Sequence, residues 1–208
     1  AADETGPGQE VYVTAATEYS VQQLIADAKA VLAQHGVTPQ ALDAIGRKMQ
    51  VLAQRKDLFQ LGQHRGPGAN AAQAYLLYQE PGEGMLLTLA QFDHRNPTAV
   101  HNHGSWGVLC HYQGRERYTQ WERVDDGSQP GHAELRVTID RELQPGDYVF
   151  WPDPPHDIHR QAPIGEPSWE LILMGRNAIN RPREHYDPET QRCWDAGLPP
   201  GADANLRR

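Results

Sequence analysis

At 208 residues the chain has room for one domain with a real core. A net charge of −8 gives no electrostatic basis for a nucleic-acid or anionic-membrane partner. No apolar run approaches the roughly 18 residues that a membrane span needs, and two cysteines, Cys110 and Cys193, cannot build a disulfide framework, so a reducing cytoplasm is the expected compartment.

Residues 1–10 are polar and contain Gly and Pro, and they read as a loose arm. A helical segment is expected within 11–60. Ser20 followed by Gln23 is a capping-box pattern. Val21, Leu24, Ile25, Ala28, Val31 and Leu32 follow at helical spacing until Gly36 stops the run. Thr38 with Pro39 opens a second helix, whose apolar stripe is Leu42, Ile45, Met49 and Leu52.

From about residue 70 to 175 the pattern changes to short strands parted by turn residues. Tyr75 to Tyr78 and Met85 to Phe92 predict a hairpin around Pro81-Gly82-Glu83-Gly84. Ser105 to Tyr112, Arg117 to Val124, Glu134 to Ile139 and Asp147 to Trp151 continue the series. Ile158 to Gln161 and Trp169 to Met174 complete it. Many short strands with Gly, Pro and Asp turns predict a sandwich or a small barrel. The tail, 176–208, is rich in Arg, Pro and acidic residues, and is expected to wrap the strands with little regular structure. The whole of 1–208 reads as one domain, a monomer or a homodimer.

Of ten histidines, His35, His64, His94, His132 and His185 sit among polar or turn residues, where a solvated imidazole is expected. His101 and His103, in Val100-His101-Asn102-His103-Gly104, differ. Two residues apart on a strand, they face the same way and can share one ion. The stretch from Pro145-Gly146-Asp147 to His156-Asp157-Ile158-His159-Arg160 feeds an apolar strand into a Pro-rich bend and returns with further imidazoles.

These two segments resemble the paired motifs of the cupin superfamily, and within it most closely those of the thiol dioxygenases that act on cysteine and 3-mercaptopropionate. The matching stretches are Thr98 to His103 with Trp106-Gly107, Gln113-Gly114, Pro145-Gly146-Asp147, and Asp157 to Arg160. Tyr75-Leu76-Leu77 upstream and Gly175, Asn177 and Arg183 downstream extend the match to roughly residues 70–190. The resemblance implies a mainly β double-stranded β-helix, a jelly roll, with two N-terminal helices. It also selects His159 over His156 as third metal ligand; 156 and 159 would in any case face opposite sides of a strand.

Many cupins add a glutamate four or five residues after the second histidine. Here those positions are Gly107 and Val108, and the nearest carboxylate, Glu116, lies beyond Gly114. Three neutral ligands leave the full charge on the ion, which favours an anionic partner such as a thiolate, and they leave positions open. Imidazole suits several metals. Fe(II) is what the resemblance implies, with O2 and a small-molecule thiol as substrates and a sulfinate as product.

The resembled family carries a Ser-x-His-x-Tyr strand near the metal, and this chain has Glu170-Leu171-Ile172-Leu173-Met174 there instead. Glu170 is therefore a candidate base or a ligand to a substrate amine. Cys110 reads as a buried apolar residue, since the partner of a Cys–Tyr crosslink would be Met174. Arg183 matches the position that holds a substrate carboxylate, which a guanidinium fork suits. Trp106, Trp151, Tyr75 and Tyr112 are candidates to line the pocket. Loss of the polar strand leaves two alternatives open: a three-histidine iron dioxygenase of a diketone or aromatic, and a non-oxidative metal-binding cupin.

Overall fold

The computed structural model describes residues 18–68, 70–178 and 181–197. The expected N-terminal arm, the start of the expected helical segment and the end of the tail lie outside the described residues. Helix α1 spans Val21–His35 and α2 spans Pro39–Leu52. Both begin where the capping residues place them. The Ser20 hydroxyl accepts from the Gln23 amide at 3.1 Å while the Gln23 side chain accepts from the Ser20 amide at 2.7 Å. The Thr38 hydroxyl accepts from the Ala41 amide at 3.3 Å. Gly36 stops α1 with φ of 63°, a left-handed value that a residue with a Cβ rarely adopts. A single-turn helix, α3, covers Leu58–Leu61.

Among the described residues twelve strands follow, forming two six-stranded antiparallel sheets. The first has the order β1 (Gln63–Arg65), β2 (Gln73–Gln79), β3 (Leu86–Phe92), β10 (Ser168–Met174), β5 (Gly107–Gln113) and β8 (Tyr148–Trp151). The second has the order β12 (Arg192–Gly197), β11 (Arg183–Asp187), β4 (Val100–His101), β9 (Ile158–Pro163), β6 (Glu116–Arg123) and β7 (Leu135–Leu143). Within these, β3-β10-β5-β8 and β4-β9-β6-β7 are the two four-stranded halves of a jelly roll, made by two interleaved Greek keys. The fold is a mainly β double-stranded β-helix, a jelly roll, with two long N-terminal helices.

Strand alternation divides the first sheet into two apolar faces. Leu87, Leu89, Val108, Cys110, Leu171 and Leu173 point outward and are covered by Leu24, Ile25, Ala28, Leu42, Ile45, Met49 and Leu52 of the helices. Burying each Leu or Ile side chain in this way is worth roughly 1.5–3 kcal/mol. Their neighbours in sequence, Leu86, Ala90, Leu109, Ile172 and Met174, point between the sheets, with Tyr118, Val149 and Trp151. Tyr148 anchors α2 by donating to the Asp43 carboxylate at 2.6 Å, and its ring lies against Gly46, where a Cβ would come within 2.3 Å.

The tail departs from expectation. It forms a hairpin, β11 and β12, whose first strand adds to the edge of β4 with Tyr186 opposite Val100 and His185 opposite His101. The Asp187 side chain closes the turn by accepting from the Glu189 amide and the Thr190 hydroxyl. Arg183-Glu184-His185-Tyr186-Asp187 alternates buried Tyr186 with polar residues, a pattern that composition alone hid. Among the described residues no helix is long and apolar enough to cross a membrane.

Candidate metal centre

A row of side chains crosses the inner face of the second sheet: His185 on β11, His101 on β4, His159 on β9 and Gln120 on β6, each opposite the next. His101 and His159 are thus direct cross-strand neighbours. His103 reaches them by a different route from the one expected. Strand β4 ends at His101, so strand alternation does not aim His103. Instead the buried Asp157 carboxylate accepts from the His103 amide at 3.0 Å and the Gly104 amide at 2.7 Å. Gly104 turns with φ of 69°. Asn102, between the two histidines, points away and accepts from the Glu184 amide at 2.8 Å.

The three imidazoles converge through their Nε2 atoms. His103 Nε2 lies 3.1 Å from that of His101 and 3.1 Å from that of His159. Nitrogens bound at right angles to one ion at about 2.0–2.2 Å lie about 3 Å apart, so the residues fit a metal on one triangular face. His101 Nδ1 donates to the Ala99 carbonyl at 2.9 Å, which leaves its Nε2 lone pair for the ion. Burial pushes all three imidazoles down from their ordinary value, His159 to about 3, so they are neutral at pH 7 as ligands must be. No Asp, Glu or Cys ligand atom joins the group among the described residues. The three histidines together could hold a metal ion.

No family model matches this chain, and no curated protein matches it. Solved structures with which it shares a distant likeness include a DMSP lyase, at 15% identity and a TM-score of 0.41 over 55% of this chain and 52% of that one. An oxalate oxidase shares 15% identity, with a TM-score of 0.36 over 45% and 42% of the two chains. A cupin 2 conserved barrel domain protein from Rhodopseudomonas palustris shares 16% identity, with a TM-score of 0.38 over 54% and 67%. The aligned part thus spans about half or less of the first two chains, and likeness at this level says nothing of chemistry.

Of the other expected site residues, Arg183 is brought to the triad. It stands half-buried at the start of β11, two residues from His185 and so on the same face. Its charge bears on all three ligand imidazoles, and burial brings the guanidinium down to about 10, still charged at pH 7. His185, expected in solvent, is half-buried beside it and is pushed down by burial and by Arg183. His156 is exposed and apart from the triad.

Trp106, Tyr75 and Tyr112 are not brought to the triad. All three fall on the helix-facing side of the first sheet, because alternation puts them opposite to inward-facing neighbours. Tyr75 packs edge-on to Phe59 at 5.3 Å, Tyr112 donates to the Arg55 carbonyl at 2.8 Å, and Trp106 covers Gly175. Only Trp151 of the four aromatics reaches the site. Its ring lies 4.3 Å from that of His159 and stacks on His103 at 5.8 Å, while its indole donates to the Ser105 carbonyl at 3.0 Å. Trp151 also fills the space over Gly107, where a Cβ would fall 2.2 Å from the indole.

Glu170 is also not beside the triad. It faces inward on β10, where Gln161 donates to it at 3.2 Å, and it meets Glu116 and His111 instead. Asp157, Glu116 and His111 were the residues that sequence reading left without a role. An aspartate two residues before a ligand histidine, across from a turn glycine, is the only signal the chain offers for the first.

Two outcomes follow. Asp157→Asn keeps the side chain's size but turns an acceptor of two amides into a weaker one, so the loop carrying His103 loosens. Metal affinity should fall about 10–100-fold, the usual cost of losing a group that orients a ligand, with circular dichroism unchanged. An unaltered affinity in competition with a chelating dye would contradict it. The Glu170 carboxyl is pushed well above its ordinary value by burial and then by the charge of Glu116. A carboxyl raised on folding contributes stability at low pH and loses it as pH rises towards the folded value. In metal-free protein, the Tm advantage of Glu170→Gln over wild type should therefore grow from pH 5 to pH 8. A constant difference would refute the sign.

Proposed function

We propose that the protein is a mononuclear non-haem Fe(II) dioxygenase that converts a small carboxylate-bearing thiol and O2 to a sulfinate. The observation that carries this reading is the pairing of a carboxylate-free histidine triad with the half-buried Arg183 cation. His101, His103 and His159 would hold the ion. When bound, Fe(II) supplies the redox chemistry and open positions for substrate and O2. The chain's own residues do the rest. Arg183 binds the carboxylate as a two-pronged donor and raises the local positive charge. That charge, with three neutral ligands, favours loss of the thiol proton on binding. Trp151 and Tyr118, whose ring is 5.7 Å from that of His159, wall the site against water. Both oxygen atoms end on sulfur and one proton leaves, so the reaction RSH + O2 → RSO2− + H+ balances without a further reductant.

A second reading is supported by the apolar space between the sheets. Ile172 and Met174 occupy inward positions on β10 where the resembled family has polar groups. The same iron centre could then act on a diketone or an aromatic.

The test is O2 uptake by Fe(II)-loaded protein offered 3-mercaptopropionate, cysteine, mercaptosuccinate and simple diketones. The thiol reading expects uptake with a carboxylate-bearing thiol and both atoms of labelled O2 in the product. Uptake on the non-thiols alone supports the second reading. No uptake with any of them, together with tightly retained zinc, leaves a non-oxidative metal-binding cupin.

A further inference from the structure

His111, Glu116 and Glu170 form a second convergent group between the sheets, separate from the histidine triad. His111 on β5 and Glu170 on β10 are cross-strand neighbours in the first sheet, and Glu116 enters from β6 in the second. Along β6, Glu116 is four residues from Gln120, the neighbour of His159, a separation of about 13 Å at 3.3 Å per residue. All three side chains are fully buried, and their facing ligand atoms lie within 4.8 Å of one another.

Each of the three uses one atom to bind the protein and turns another towards the common point. His111 Nε2 lies 3.0 Å from the Gly114 carbonyl, which can only accept, so the ring's hydrogen sits on Nε2 and the Nδ1 lone pair is free. Ser168 donates to Glu116 Oε2 at 3.3 Å, and Gln161 donates to Glu170 Oε2 at 3.2 Å. The remaining atoms, His111 Nδ1, Glu116 Oε1 and Glu170 Oε1, are buried, and apart from the contact between the two carboxyls themselves they meet no hydrogen-bond donor among the described residues. His111 Nδ1 and Glu170 Oε1 are 4.0 Å apart, too far for a hydrogen bond. Two ligands at about 2.0–2.2 Å on opposite or adjacent sides of one ion are about 3–4 Å apart.

Ligand atoms held by outer hydrogen bonds and aimed at one point are the mark of a metal site. Charge agrees with it. Two ionised carboxylates and a neutral imidazole sum to −2, which one divalent ion cancels in a place where water cannot. The imidazole and two carboxylates suit zinc, iron or manganese, and disfavour calcium and magnesium, which prefer oxygen alone. We propose that His111, Glu116 and Glu170 bind a second divalent transition-metal ion, which ties the two sheets together beside the β5–β6 turn.

The test counts metal rather than activity. Protein stripped with chelator is re-equilibrated with Zn(II), gel-filtered and analysed by elemental mass spectrometry. Wild type should hold two ions per chain, His159→Ala one, Glu170→Gln one, and the double variant none. Zn(II) should raise the Tm of His159→Ala and leave that of the double variant unmoved. The His159→Ala arm alone decides the matter should Glu170→Gln fail to fold. One ion in wild type and none in His159→Ala would overturn the proposal, and would leave the two carboxyls sharing a proton. One ion in His159→Ala with none in Glu170→Gln would instead overturn the histidine triad and keep this site.

Discussion

Replacing His159 with alanine is expected to empty the histidine triad, and replacing His156 is expected to leave it full. His159 presents Nε2 from the inner face of β9, in register with His101, whereas His156 lies in the exposed bend before that strand. Structural zinc sites are worth about 10–16 kcal/mol over their ligands, so one ligand carries about 3 kcal/mol, or roughly two orders of magnitude in affinity. A chelating-dye competition on the two variants, read with the Glu170 site blocked by Glu170→Gln, measures this directly. Equal losses in both variants would mean that the register of β9 has been misread.

Arg183→Gln is expected to cost more in turnover than any other change that leaves the metal in place. The guanidinium is half-buried close to the triad imidazoles, so a carboxylate bound there would be partly desolvated with it. Truncating one partner of such a pair costs roughly 2–5 kcal/mol, or about 30- to 5,000-fold in kcat/KM. The loss should be confined to substrates that carry a carboxylate. A thiol without one should be turned over by wild type and variant alike. Arg183→Lys should recover only part of the rate, because a point charge cannot make the paired contact. Parallel losses on charged and uncharged thiols would assign Arg183 to structure rather than to substrate.

Much of this architecture was legible in the chain, for reasons that differ by element. The two long helices announce themselves through local chemistry: Ser20 with Gln23, Thr38 with Pro39, and an apolar stripe at helical period. Strands β2, β3 and β5 to β10 are short runs between turn residues, and their expected starts and ends fall within two residues of those found, save that β7 runs on to Leu143. The triad was legible because its two segments carry spaced histidines and a family resemblance. Its geometry was not, since His103 is aimed by Asp157 from 54 residues away and not by its own strand. The aromatic residues failed for a related reason. A jelly roll with helices on one side has two apolar faces, and hydrophobicity alone does not tell Trp106, which faces the helices, from Trp151, which faces the histidine triad. The Glu116–Glu170 meeting depends on the crossing of two sheets, a contact that no local pattern encodes.

The tryptophan at 151 settles one matter that ligand chemistry leaves open. A fourth, acidic ligand would have to rise from position 107, and that volume already holds the indole. Introducing the acid alone would drive the ring into His103 and His159, while shrinking the ring alone would leave a void beside the ion. Either change by itself costs stability, and only the two together would give a centre with one negative ligand. The site's overall charge is therefore guarded by a packing contact.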